Sequence, residues 1–135
     1  MSMQDFAPKA FGPLVIQRLE GLAILVASLL GFADADLSWW WFAALLLIPD
    51  LSMVGYLANP SFGALTYNLG HTLLGPALLF GWYYLGGPLG VLPIAWIWLA
   101  HIGLDRVLGY GLKYADAFTH THLGMIGPSR AQAGG

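Results

Sequence analysis

The sequence predicts an all-α protein, a four-helix transmembrane bundle with up-down-up-down topology. Of its 135 residues, 58% are hydrophobic and only 9% are charged, whereas soluble domains carry about 25% charged residues. Four apolar stretches follow one another, and each is close to the ~20 residues that a helix needs to cross a bilayer core. The connections between them are short, as they are between antiparallel neighbours in helix bundles.

The four spans are predicted at residues 13–33, 37–58, 63–85 and 88–109. Turn-forming Asp, Asn, Gly and Pro residues separate the spans, at 34–36, 59–61 and 86–88. Arg18 and Glu20 stand early in the first span. Because a cleaved signal peptide has a short apolar core without such charges, this span is interpreted as a retained helix.

The ends of the chain are predicted to lie outside the bundle. Residues 1–12 form an N-terminal interfacial segment in this interpretation, and the bundle occupies 13–109. The stretch after Gly109 is too polar to span, so 110–128 is predicted to fold back as a short interfacial segment or lid. Residues 129–135 are expected to be a disordered tail.

Basic residues predict the orientation of the bundle. All five Lys and Arg residues fall on the side that both termini share. They are Lys9, Arg18, Arg106, Lys113 and Arg130. Because Lys and Arg accumulate in cytoplasmic loops, both termini are expected in the cytoplasm, and the lipid bilayer is the first expected partner.

Ionisable residues inside the apolar spans are the main functional signal. Glu20, Asp50, His71, His101 and Asp105 all lie within predicted helices. A charge at the centre of a membrane helix costs roughly 2.5–3.5 kcal/mol on insertion scales. Since a helix rises 1.5 Å per residue, counting from the shared turns places one such group from each span at nearly the same depth. The sequence therefore predicts one polar cluster in the cytoplasmic half of the bundle.

Local spacing supports this cluster. His101 and Asp105 are four residues apart and share a helix face, as do Asn68 and His71, which are three apart. Pro49 precedes Asp50 and has no N–H to donate, so it is expected to kink the second span there.

The cluster has the chemistry of a metal site. Carboxylate and imidazole ligands suit Zn, Fe or Mn, and helix bundles place such sites in their cores. Asp50, His71, His101 and Asp105 are the predicted ligands. A divalent metal ion there could activate a water molecule, so the first hypothesis is a hydrolase-like enzyme acting on a lipid-like substrate.

Further residues receive roles around this centre. Glu20 is predicted as a fifth ligand, an acceptor behind the ligands or a general base, and His122 as a second proton-transferring group. Asn68, Arg106, Lys113 and His120 are predicted to contact substrate, with the two cations holding an anionic headgroup. An exposed tail carrying His120 and His122 is an equally consistent interpretation of the C-terminal histidines.

Other interpretations stay open. Histidine, asparagine and acids can hydrogen-bond helices together, worth about 0.6–2 kcal/mol each. If the polar residues only hold the helices together, the chain would be a non-catalytic accessory subunit of a larger membrane complex, or a homo-oligomer. His71 and His101 could also hold a haem, although that leaves three nearby acids unexplained. A proton path is disfavoured, because no ionisable group continues to the far surface.

Composition excludes several classes. The chain has no cysteine, which excludes disulfides, thiolate metal sites and cysteine nucleophiles. Its net charge of −2 and lack of a basic patch argue against nucleic acid as a partner.

Several stretches resemble a known bacterial family of integral membrane proteins. These are LEGLAIL, IPDLSMVGYL, YNLGH, WLAHIGLDRVLGYGLKY and THLGMIG. They are similar, over residues 18–127, to the domain of unknown function 4260. The resemblance implies a four-helix membrane protein, expected in the bacterial inner membrane. It does not indicate an activity. Its motif positions would be Glu20, Asp50, Asn68, His71, His101, Asp105, Arg106, Lys113, Tyr114, Thr121 and His122.

A fainter similarity is to metal-dependent hydrolases of the inner membrane. Those proteins carry a His-x3-Asp pair on a late membrane helix, as His101 and Asp105 do here. The His-Ser pair expected earlier in that group is missing, and His71-Thr72 is the nearest match.

Overall fold

The structure is a computed structural model that describes residues 12–113 and 120–125. It contains five α-helices, one 3₁₀ helix and a two-stranded hairpin. The elements are α1 (Pro13–Asp34), α2 (Trp39–Leu45), a 3₁₀ segment (Ile48–Leu57), α3 (Pro60–His71), α4 (Leu74–Tyr84), α5 (Val91–Leu108), β1 (His120–Thr121) and β2 (Gly124–Met125). The predicted all-α bundle is confirmed, while residues 1–11 and the predicted tail at 129–135 lie outside the described residues.

α1 and α5 pack closely and run antiparallel. A side chain added at Gly21 would collide with Arg106 and lie 2.9 Å from the carbonyl oxygen of Gly103, and one added at Gly31 would collide with Trp96. The first half of α1 therefore contacts the end of α5, and the end of α1 contacts the first half of α5. The Nε of Arg18 also donates to the Val107 carbonyl at 2.8 Å. This bond satisfies a carbonyl at the end of α5, which has no partner in its own helix.

The 3₁₀ segment packs antiparallel on α3 through small residues. A side chain added at Gly55 would meet Thr66, and one added at Gly63 would meet the ring of Tyr56. At the other end of the interface, Gly70 approaches the hydroxyl of Ser52. Small residues allow this approach between backbones, as they do at helix contacts in membranes.

Two of the four predicted spans are interrupted. The second is divided at residues 46–47, and the third at residues 72–73. Pro49 explains the first break: the N–H of Asp50 bonds to the carbonyl of Leu47, three residues back, and the chain continues as a 3₁₀ helix. The predicted kink is therefore a change of helix type.

Pro76 explains the second break, which the sequence analysis did not predict. Pro76 lies in the first turn of α4, where its missing N–H would have paired with the carbonyl of Thr72. Thr72 adopts an extended conformation (ψ 151°) and ends α3.

Among the described residues, three helical stretches are long and apolar enough to cross a membrane: Pro13–Asp34, Trp39–Leu57 and Val91–Leu108. The second consists of α2 and the 3₁₀ segment together. The third predicted span consists of α3 and α4, neither of which reaches the ~20 residues of a full span alone. The cytoplasmic location of both termini stays a prediction.

Side chains satisfy backbone carbonyls at the breaks. Ser52 Oγ donates to the Pro49 carbonyl at 2.6 Å, and Thr66 Oγ1 donates to the Ser52 carbonyl at 2.7 Å. The indole of Trp98 donates to the Gly70 carbonyl at 2.6 Å. Inside a bilayer, irregular backbone is tolerated where protein groups replace the missing hydrogen bonds.

We predict that Trp98→Phe destabilises the bundle by about 1–3 kcal/mol, because it leaves the Gly70 carbonyl buried without a donor. The measurement is the free energy of unfolding in mixed detergent micelles. Trp40→Phe is the matched control, since Trp40 is 84% exposed, and it should change little. Equal stability of the two variants would contradict the role assigned to the indole.

Candidate metal centre

Four polar side chains from three elements meet at one point. Asp50 lies in the first turn of the 3₁₀ segment, His71 is the last residue of α3, and His101 and Asp105 lie one turn apart on α5. One ligand atom from each residue lies within 4.8 Å of all the others. This group of two carboxylates and two imidazoles could hold a metal ion; that it does so stays a prediction.

Five distances within the cluster are close to those between the ligands of a tetrahedral metal site. His71 Nε2 lies 3.0 Å from His101 Nε2, 3.2 Å from Asp50 Oδ1 and 3.4 Å from Asp105 Oδ2. His101 Nε2 lies 3.3 Å from each of the same two carboxylate oxygens. Metal–ligand distances of roughly 2.0–2.2 Å give tetrahedral edges of roughly 3.3–3.6 Å. These five distances are therefore equal to such edges or slightly shorter, and all four ligand atoms lie within 4.8 Å of one another.

The tautomer of His71 is fixed by the backbone. Its Nδ1 lies 2.8 Å from the carbonyl oxygen of Tyr67, which can only accept, so Nδ1 carries the proton. In the neutral ring, Nε2 then presents a lone pair to two carboxylate oxygens, which also carry lone pairs. Such a contact needs a cation between its atoms. A single proton bridges two of the four atoms, whereas one central metal ion contacts all of them.

The far side of His101 differs from that of His71. Its Nδ1 is buried and has no hydrogen-bond partner among the described residues. The backbone of Leu46, at the break between α2 and the 3₁₀ segment, interacts electrostatically with this ring. The described residues therefore fix the tautomer of His71 but not that of His101.

The cluster is reached from the side of Asp50. The histidine side chains are almost completely buried, with 4% exposed for His71 and 2% for His101. Asp105 is 16% exposed and Asp50 is 36% exposed. A molecule approaching the cluster would therefore meet Asp50 first.

Both helix breaks lie next to the cluster. The first, at residues 46–47, comes three residues before Asp50, and the second follows His71 directly. Interrupted helices at membrane depth are a recurring feature of ion and substrate sites in membrane proteins. The breaks therefore mark the same location as the polar residues.

Tyr67 and Lys113 form a stack beside the cluster. The ring of Tyr67 stacks on His71 with centroids 3.7 Å apart, and the ammonium of Lys113 lies 4.8 Å from the Tyr67 centroid. The sequence analysis missed Tyr67, although its position four residues before His71 places both on one helix face.

The chain after α5 folds back onto α3. Gly109 ends α5 with a left-handed conformation (φ 85°), and the N–H of Tyr110 bonds back to the carbonyl of Asp105 at 2.8 Å. This arrangement is a Schellman cap. Residues 110–113 and 120–125, called the C-terminal segment below, then pack beside the bundle.

Asn68 fastens this segment. Its side-chain amide donates to the Lys113 carbonyl at 2.8 Å, and its oxygen accepts from the Lys113 N–H at 2.6 Å. The sequence analysis assigned Asn68 to substrate. The structure places its amide on the protein backbone, where it resembles a β-bridge partner.

His122 also contacts protein groups. The Leu112 N–H donates to its Nδ1 at 2.7 Å, and a guanidinium nitrogen of Arg106 lies 2.7 Å from its Nε2. Burial and the charge of Arg106 lower the pKa of His122. These surroundings favour the neutral ring. His122 contacts Arg106, which follows Asp105 on α5, and it lies outside the four-residue cluster. The side chain of His120 lies outside the described part of the chain.

Glu20 is exposed on α1 and is not one of the four clustered residues. Its predicted role as ligand or base stays a prediction. Arg18, two residues before Glu20 on α1, bonds to the end of α5, as described above.

Fold and cluster together define the class of this protein: a small helical membrane-type protein with an Asp/His group that could hold a metal ion. The sequence profile of the family described as Domain of unknown function (DUF4260) matches residues 14–126. The chain therefore belongs to this family, and the resemblance seen in its motifs is confirmed. No curated protein and no solved structure matches the chain.

We predict that Asn68→Leu releases the C-terminal segment, because it removes both hydrogen bonds to Lys113. At about 0.5–1.5 kcal/mol per bond, the opening free energy should fall by about 1–3 kcal/mol. Hydrogen exchange of residues 110–113 measures this. Asn59→Ala is the matched control: it removes the cap on the Phe62 N–H of α3 and should leave that exchange unchanged. Equal protection in Asn68→Leu would contradict the fastening role.

We predict that Lys113 titrates far below an ordinary lysine. Burial disfavours its charged form and lowers its pKa from 10.5 to about 8, while Asp105 opposes the shift. A lysine with a lowered folded-state pKa weakens the fold below that pKa. The free energy of unfolding should therefore rise as pH increases from about 8 to 10.5.

The titration can be followed by NMR on ¹³C-methylated lysines. The chain has two lysines, Lys9 and Lys113, so Lys9→Arg assigns the signals. A Lys113 midpoint near 10.5 would refute the predicted shift, and Lys113→Met should abolish the rise in stability.

Proposed function

We propose that Asp50, His71, His101 and Asp105 bind one divalent transition-metal ion, Zn, Fe or Mn, inside the membrane. The observation that carries this proposal is the His71 tautomer: its Nδ1–H faces the Tyr67 carbonyl, so its Nε2 lone pair faces carboxylate oxygens. A cation converts this repulsive contact into coordination.

Charge balance supports a divalent ion. Two carboxylates and two neutral imidazoles carry a charge of −2, which an apolar environment strongly disfavours. A divalent cation neutralises the group completely. Nitrogen and oxygen donors without sulfur suit Zn, Fe and Mn.

The same geometry argues against haem. Two imidazoles on opposite sides of one iron would have their nitrogens about 4 Å apart, twice a metal–nitrogen distance of roughly 2.0–2.1 Å. Here the two Nε2 atoms are 3.0 Å apart and both face carboxylates. The rings therefore leave no room for a porphyrin between them.

The proposed activity is hydrolysis of a lipid-like substrate at the cytoplasmic leaflet of the bacterial inner membrane. A bound divalent ion would supply Lewis-acid polarisation of a substrate oxygen and would lower the pKa of a water molecule. The half-exposed Asp50 side leaves a route by which substrate reaches the cluster. Arg106 and Lys113 supply positive charge at the end of the cluster nearer the C-terminal segment, where an anionic headgroup would be held.

Proton transfer would fall to groups near the cluster. His122 is kept neutral by its surroundings, and its Nδ1 accepts the Leu112 N–H, so it could accept a proton at Nδ1 if that contact opened. Glu20 would need to approach from its exposed position on α1. These two roles distinguish the enzyme hypothesis from a purely structural metal site.

A non-catalytic subunit is the second candidate. Four protein ligands fill a tetrahedral site, which is typical of structural zinc, whereas catalytic zinc keeps one position open. Large apolar side chains are exposed along the bundle, including Trp40 at 84%, and could contact another membrane protein. Co-purification of a stoichiometric partner, with function retained in Asp50→Asn, would favour this candidate.

We predict that the protein, purified in mild detergent without a polyhistidine tag, contains about one transition-metal ion per chain. His101→Ala should lose it, because the variant leaves three ligands and removes a corner of the tetrahedron. Elemental mass spectrometry measures the content. His122→Ala is the matched control, since His122 lies outside the cluster, and it should retain the metal.

Two outcomes would count against the metal site. One is a metal-free wild-type protein that stays folded after dialysis against Zn, Fe and Mn. The other is unchanged metal content in His101→Ala. With metal confirmed, a screen of lipid esters and phosphoesters in nanodiscs tests hydrolysis.

A further inference from the structure

An apolar cavity lies between the second span and α5, and its lining residues precede Asp50 and His101 along the chain. Its volume is about 320 Å³, and its walls come from the second span and from α5. The lining residues are Leu45, Ile48, Pro49, Ile94, Ile97 and Trp98. An apolar cavity of about 150 Å³ already stays dry and takes a benzene molecule, so this space accommodates a flexible hydrocarbon chain.

The cavity has an exposed mouth and a buried floor. Ile48 and Ile94 are each 50% exposed, on opposite walls, whereas Ile97 is 3% exposed. Both walls belong to helices long and apolar enough to span a membrane. Hydrocarbon is the solvent at such a mouth, and a lipid chain can enter it from the side.

Three of the four cluster residues lie near residues that line this cavity, either along the chain or through a hydrogen bond. Pro49 precedes Asp50, and Ile97 lies four residues before His101 on the same face of α5. Trp98 donates to the Gly70 carbonyl, which directly precedes His71. A chain seated in the cavity would therefore end beside the polar atoms.

Charge is arranged to match an anionic amphiphile. Among the described residues, the cavity walls carry no ionisable side chain, while Arg106 and Lys113 lie beyond Asp105, towards the C-terminal segment. Apolar cavity, polar cluster and cations follow one another in this order along α5. An anionic lipid has the same order of chain, linkage and headgroup.

We infer that the cavity between the second span and α5 binds the acyl chain of an anionic membrane lipid and places the linkage of that lipid at the Asp50/His71/His101/Asp105 cluster. The inference rests on the proposed metal-dependent lipid enzyme and specifies its substrate class. Substrate would enter sideways from the bilayer, with its ester linkage at the half-exposed Asp50.

The test is photo-cross-linking in nanodiscs. The probe is phosphatidylglycerol with a diazirine near the end of one acyl chain, diluted in phosphatidylcholine. Proteolysis and mass spectrometry locate the adducts, which are expected in residues 45–49 and 94–98. Ile94→Trp fills the mouth, and because Ile94 is half-exposed the larger ring fits without entering the core.

The cavity adducts should fall about tenfold in Ile94→Trp, the change produced by losing about 1.4 kcal/mol of binding free energy. Leu78→Trp is the control: Leu78 is 73% exposed on α4 and does not line the cavity, so its adducts should match wild type. Retained metal in both variants shows that the cluster is intact. If Ile94→Trp loses its metal, Ile48→Phe blocks the opposite wall and takes its place.

Adducts spread evenly over lipid-facing residues, unaffected by either blocking variant, would overturn the inference, as would cross-linking of the mouth to a second copy of the chain. The metal content of the protein distinguishes failure of the acyl-chain site from failure of the proposed metal centre. Metal-loaded protein without cavity adducts refutes the acyl site alone, whereas cavity adducts on protein that binds no metal support the chain site and refute the metal centre.

Discussion

Four acceptor atoms from Asp50, His71, His101 and Asp105 share one point between apolar helices, and the rest of the molecule is arranged around that contact. Each of these atoms would be costly alone in hydrocarbon, and each imidazole Nε2 lies 3.0–3.4 Å from the other imidazole and from both carboxylates. The Tyr67 carbonyl fixes the tautomer of His71, so that its Nε2 lone pair faces the carboxylate oxygens. A cation among these atoms would turn that repulsion into attraction.

The helix breaks follow from the same constraint. A continuous helix supplies no spare carbonyl and no change of direction, whereas the break at residues 46–47 brings Asp50 in on a 3₁₀ turn and exposes the Leu46 backbone to His101. The break after His71 leaves the Gly70 carbonyl for the indole of Trp98. Pro49 and Pro76 each remove one helical N–H at these breaks, and Ser52, Thr66 and Trp98 donate to backbone carbonyls nearby. Local irregularity and the polar site are therefore one feature of the structure.

Counting residues from turns was enough to place Asp50, His71 and His101 at one level, because helix rise is constant and the turns are short. The same method missed the interruption of the third span. Proline is tolerated in the first turn of a helix, and Pro76 occupies that position only because the extended Thr72 ends α3 and a new helix begins. The method also could not find the backbone partner of Asn68, which lies 45 positions away, and the substrate contact of Asn68 stays a prediction. Contacts with segments distant in sequence, such as Lys113 over Tyr67, have no periodic signal and need the folded chain.

The C-terminal segment joins α3, which carries His71, to the end of α5, which carries His101 and Asp105. It is also the last of these elements to be translated. During biosynthesis the four spans can enter the bilayer before Asn68 has a partner and before the Schellman cap at Gly109 directs the chain back. All four cluster residues are translated before this segment, so the segment fastens α3 to the end of α5 only after the whole bundle is present.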